Sequence, residues 1–114
     1  MFRTKYGSKS VHYNGRKYDS RLEGGFAMWL DSLLATGKLK SVTPQYKIDL
    51  TVNGHHIANH FVDFFVILPN GQPRFVEAKG FETDTWRMKR KLVEALYPDI
   101  PYLVNPQEKT LLLR

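Results

Sequence analysis

The spacing of hydrophobic positions changes along the chain, and the changes mark its elements. From about Ser20 to Thr36, Leu22, Phe26, Trp29, Leu30, Leu33 and Leu34 recur at helical intervals, which predicts an amphipathic helix. Ser20 with Glu23 three residues on has the form of a capping box, and Gly37 is a natural stop. From Val42 to Val52 the period falls to two. Tyr46, Ile48, Leu50 and Val52 alternate with Gln45, Lys47, Asp49 and Thr51, as in a half-buried strand. Asn53-Gly54 closes a hairpin, and His55 to Asn59 continues it. Phe61 to Leu68 is a nearly unbroken apolar strand, Pro69-Asn70-Gly71 turns the chain, and Arg74 to Lys79 is a second such strand. Gly80 lets the chain leave the strand. Helical spacing returns from about Thr83 to Leu96, with Thr83 or Asp84 as cap. Trp86, Leu92, Val93 and Leu96 form its apolar face, and Arg87, Lys89, Arg90 and Lys91 its basic one. Pro98 pushes Tyr97 out of the helical region. Ile100 to Val104 reads as a short strand, and Thr110 to Leu113 as a final one. Near the start, Asn14-Gly15 predicts a small hairpin within His12 to Tyr18. The order helix, strand, strand, strand, helix, strand predicts an α/β or α+β fold, a central mixed sheet flanked by helices.

The central hairpin carries the chemistry. Asp63, Glu77 and Lys79 interrupt strands of otherwise core-grade sequence. An unpaired charge is costly to desolvate, so charges placed this way have a partner, a metal or a chemical job. Side chains two apart on a strand share a face, which puts Glu77 with Lys79. If residues 69–71 form a three-residue loop, Leu68 faces Gln72 and Asp63 faces Glu77. Directly opposed side chains have Cβ atoms roughly 5 Å apart. Two carboxylates so close repel unless a cation lies between them. Hard divalent ions use one or two carboxylates, with water and phosphate completing the shell. The predicted constellation is a carboxylate pair for Mg2+ or Mn2+, with an ammonium group beside it to orient a water or stabilise charge on a phosphate. Glu23 has two readings at this point, as a helix cap or as a third acid near the site.

Composition narrows the picture. The chain has 114 residues, 42% of them hydrophobic, which suits one domain with its own core. It contains no cysteine, which excludes disulfides and thiolate zinc sites. His55, His56 and His60 cluster, but His55 and His56 are adjacent and point to opposite faces of any strand, which argues against zinc. His60 reads as an end-of-strand polar residue. No apolar run reaches the roughly 18 residues of a membrane span, and the N-terminus does not have the form of a signal peptide. A cytoplasmic location is the default expectation. The formal net charge of +6 favours a polyanionic partner. Arg3, Lys5, Lys9, Arg16 and Lys17 fall in the first 18 residues with no acid among them, which suits a basic N-terminal arm on phosphates ahead of a single domain from 19 to 114. With Arg87, Lys89, Arg90 and Lys91 they are the expected nucleic-acid contacts.

Val62-Asp63 with Glu77-Ala78-Lys79 resembles the core motif of the PD-(D/E)XK nuclease superfamily. The layout is similar to that of the phage endonuclease I family of Holliday junction resolvases, and of small phage-encoded relatives. The shared features are the basic arm, Ser20 to Glu23 opening a helix, Asp63-Phe64, the Leu68-Pro69-Asn70-Gly71 turn, and Val76 to Gly80. The likeness spans roughly Tyr6 to Tyr97, with Val62 where the superfamily often has proline. It implies a restriction-endonuclease-like core and a metal-dependent DNA endonuclease acting on branched or duplex DNA. It implies Glu23, Asp63, Glu77 and Lys79 as the catalytic set, and the first three plus the Ala78 backbone carbonyl as ligands for Mg2+ or Mn2+. It also implies a homodimer. Gln45 is expected near the site. The alternatives are a nicking or end-cleaving nuclease of the transposition type, and a nucleic-acid-binding module without catalysis.

Overall fold

The computed structural model describes residues 9–114. In chain order the elements are β1 (Val11–Tyr13), β2 (Arg16–Tyr18), α1 (Arg21–Ala35), β3 (Ser41–Val52), β4 (His55–Ile67), β5 (Pro73–Glu77), α2 (Asp84–Leu96), β6 (Tyr102–Val104) and α3 (Glu108–Leu111). Strands β3, β4, β5 and β6 form a four-stranded sheet in that order, and β1 and β2 a separate hairpin. Pairing is antiparallel except between β5 and β6, which run parallel with α2 between them in the chain. The result is a mixed α+β domain. Its sheet lies between one core built on α1 and a second built on α2.

The turns follow from their residues. Asn14 and Gly15 have φ of 52° and 79°, and Asn53 and Gly54 of 50° and 79°. Two successive left-handed residues match the twist of paired strands, which is why Asn-Gly is favoured there. After β4, Leu68 N–H donates to Gln72 O and Gly71 N–H to Leu68 O, both at 2.8 Å, the three-residue loop expected. Helix α1 is capped by Ser20, whose Oγ accepts Glu23 N–H at 3.1 Å, and α2 by Thr83, which accepts Trp86 N–H at 3.1 Å.

Four expectations change. His55 to Ile67 is one strand, bulged where Leu50 pairs with Ala58 but Thr51 with His56. Residues 11–18 belong to the folded body and not to a free arm: Val11 packs so closely on Gly24 that a Cβ there would collide with its Cγ2. Helix α1 accordingly buries Gly24, Ala27, Leu30 and Leu33, while Leu22 is exposed and Phe26 and Trp29 line an open groove. The chain from Glu108 to Leu111 is helical and seats Leu111 in the α1 core; a short apolar run does not by itself separate helix from strand.

The sheet also turns over. Val62 packs in the α2 core and Phe64, two residues on, in the α1 core, although strict alternation would put them on one face. The change falls at Asp63. Gln45 lies across from it, between the pairs Pro44–Phe64 and Tyr46–Val62, with a left-handed φ of 52°.

Candidate active site

The β4–β5 register ends at Phe64–Val76. One step further, Asp63 comes opposite Glu77, near enough for the second acid to raise its pKa. Asp63 Oδ2 accepts Ala78 N–H at 2.8 Å. Burial, then the neighbouring Glu77 carboxyl, hold the Asp63 carboxyl well above the usual carboxylate range; Ala78 N–H and Lys79 pull the other way.

Glu77 is fixed from behind. Its Oε1 accepts the Tyr102 hydroxyl at 2.6 Å and Trp86 Nε1–H at 3.4 Å. The Tyr102 oxygen lies 2.8 Å from His60 Nε2. The single Tyr102 proton goes to Glu77, which assigns the Nε2–H tautomer to His60 as donor. Burial, with Lys89 and Lys79 nearby, pushes His60 down to about 4. The ring is neutral, so its 3.8 Å approach to Glu77 is not an ion pair. His60 is thus a buried support of the site and not an end-of-strand residue. The overturned sheet puts it on the Glu77 side, a position that simple alternation could not give.

Lys79 follows β5. Asn105 holds its backbone from both sides, accepting Lys79 N–H at 2.9 Å and donating to Lys79 O at 2.8 Å. The ammonium stands 5.2 Å from the centre of a Trp86 ring, a cation–π contact, and its charge lowers the Asp63 pKa. Asp63, Glu77 and Lys79 are therefore gathered on the α2 side, as their spacing predicted.

Glu23 arrives from α1. The capping reading holds only for its backbone, because its side chain is bonded elsewhere: Oε2 accepts Gln45 Nε2–H at 2.5 Å. It is 7% exposed. Burial, then Asp63 and Asp19, raise its carboxyl to about 7, against Gln45 and Arg16. Glu23 is thus within electrostatic reach of Asp63, and Gln45 is near the site as expected.

Among the described residues, no three His, Cys, Asp or Glu side chains are clustered tightly enough to hold a metal alone. The donors that do meet are the carboxylate oxygens of Asp63 and Glu77, and a hard dication between two such groups relieves their repulsion. The residues fit Mg2+ or Mn2+ on Asp63 and Glu77, with water or phosphate in the remaining positions. Ala78 takes part here through its N–H, while a ligand role for its carbonyl comes only from the resemblance.

The basic residues divide. Arg3 and Lys5 lie outside the described residues. Lys9, Arg16, Lys17 and Lys91 are exposed, and Arg16 acts on Glu23 from β2. Arg87 is paired with Glu82 and Asp84, at 3.3 and 3.1 Å, and Lys89 donates to Asn59 O at 3.3 Å. Arg90 is half-buried and packs on the site's rings: its guanidinium lies 5.8 Å from a Trp86 ring centre and 5.3 Å from that of Tyr102. His56 bonds Asp49 at 2.8 Å at the far end of the hairpin, away from His60. Tyr102, Trp86 and Asn105 carry no sequence signal for these roles. Each looks like an ordinary strand, helix or turn residue until β6 is placed beside β5.

Fold and site together define a mixed α+β domain in which a buried glutamate and a half-buried aspartate meet beside an ammonium group. Over residues 3–107 the chain matches the family described as "Protein of unknown function (DUF1064)", and it belongs to that family. No curated protein and no solved structure matches it. None of its described helices is long and apolar enough to cross a membrane.

Proposed function

We propose that this chain is a Mg2+- or Mn2+-dependent endodeoxyribonuclease acting on branched or otherwise structured DNA, such as a Holliday junction, in phage recombination or DNA processing in the host cytoplasm. The observation that carries the reading is the juxtaposed Asp63–Glu77 carboxyl pair with the Lys79 ammonium beside it. When bound, the ion supplies charge on the phosphate and a more acidic water. Asp63 and Glu77 hold it, with Glu23 approaching from α1. Lys79 would orient the water or stabilise negative charge as the water oxygen bonds to phosphorus and gives up a proton to solvent, while the ester P–O bond breaks and the leaving oxygen takes one up from solvent. The exposed Lys9, Arg16, Lys17 and Lys91 steer the DNA backbone. A binding module without catalysis is the weaker reading, since two juxtaposed acids would repel the phosphates it had to hold.

The test is incubation with a four-way junction, linear duplex and single strand, each with Mg2+, Mn2+ or EDTA. Junction cleavage that needs metal and disappears in Asp63→Ala is expected. Cutting confined to ends or single nicks would favour the transposition-type alternative, and no cutting of any substrate would remove the enzyme reading. Sedimentation alone and with junction tests the homodimer that the resemblance implies.

A further inference from the structure

We infer that Gln45 is a positioning residue, whose left-handed backbone turns β3 over and whose amide holds Glu23 at the point of the sheet that faces Asp63. This deepens the nuclease reading and rests on it. Three observations meet at one position. Gln45 has φ of 52° inside a twelve-residue strand, where a non-glycine side chain is strained. It lies across from Asp63, where the sheet exchanges faces. Its Nε2–H reaches Glu23 Oε2 at 2.5 Å. Without the turn, Val62 and Phe64 would share a face, and an acid from α1 could not approach a carboxylate pair on the α2 side. The strain is therefore kept where two faces of the sheet contribute to one site. Gln45 is exposed, so nothing in core packing requires a long amide there.

The test compares wild type with Gln45→Gly, Gln45→Ala and Gln45→Asn. Glycine and alanine both delete the amide and differ only in tolerance of a left-handed backbone, so Gln45→Gly should melt about 4–8 °C higher than Gln45→Ala. Both should bind Mn2+, followed by EPR of the free ion, about 10-fold more weakly than wild type, because removing a partner that orients a ligand costs about 10- to 100-fold. Asparagine tolerates the backbone and retains an amide, so partial recovery is expected. In wild type the Gln45 side-chain NH2 resonances should be displaced downfield and should move in Glu23→Ala. Wild-type Mn2+ affinity and cleavage in Gln45→Gly would overturn the positioning role and leave the nuclease reading intact. Normal NH2 signatures in a wild type that neither binds Mn2+ nor cuts DNA would overturn the nuclease reading, and this role with it.

Discussion

Asp63→Asn should stabilise the metal-free protein and abolish its chemistry. Burial and Glu77 hold the Asp63 carboxyl above its ordinary range. Once pH passes about 4, the unfolded chain has lost a proton that the folded chain still holds. The unfolded state then binds fewer protons, so stability falls with rising pH until Asp63 ionises in the folded state. Each unit of separation is worth about 1.4 kcal/mol. Asp63 is partly exposed, which screens it, so one to two effective units give a cost of about 2 kcal/mol near pH 8. Asparagine copies the protonated acid: its oxygen accepts Ala78 N–H and its amide donates to Glu77. The variant should melt about 8 °C above wild type near pH 8 in EDTA, and level with it near pH 4. Millimolar Mg2+ should raise the wild-type midpoint and leave the variant unmoved. DNA cleavage should fall about 100-fold or more. A variant no more stable than wild type at pH 8, or equally favoured at both pH values, would refute the raised Asp63 pKa.

Other perturbations separate support from chemistry. Tyr102→Phe leaves His60 and Glu77 buried without their common partner and should cost about 1–3 kcal/mol in urea denaturation; a neutral result would show that the relay is not held as described. Lys79→Met keeps the stem on Trp86 and should change stability by less than about 0.5 kcal/mol, while cleavage drops about 100-fold; retained activity would remove Lys79 from the reaction. Arg16→Ala with Lys17→Ala should lower the slope of log K against log salt for duplex binding by about 2, whereas Arg90→Ala should lower the melting point, since Arg90 packs on Trp86 and Tyr102.

Much of the domain was legible in the sequence because its signals are local. Both Asn-Gly turns, the caps at Ser20 and Thr83, and the three-residue loop at Pro69 to Gly71 each fix geometry within a few residues. That loop carries the register to Asp63 and Glu77, so the carboxylate pair could be placed before any coordinates. What escaped depends on contacts distant in sequence. Tyr102 acquires its role only through parallel pairing of β6 with β5. The place of His60 beside Glu77 is hidden in the sequence because strict alternation puts it on the face opposite Asp63, and the left-handed Gln45 marks where the sheet exchanges faces. Arg90 reads as a solvated charge until Trp86 and Tyr102 are seen beneath it. The helical stripe of α1 was rotated because small residues at 24 and 27, invisible to a hydrophobic count, let the hairpin and sheet come close.

The most direct test of the account is a crystal soaked in Mn2+ and measured for anomalous scattering. One strong peak between Asp63 and Glu77, at about 2.0–2.2 Å from an oxygen of each, is the predicted result. Mn2+ bound elsewhere, with no peak between those two carboxyl groups, would contradict it.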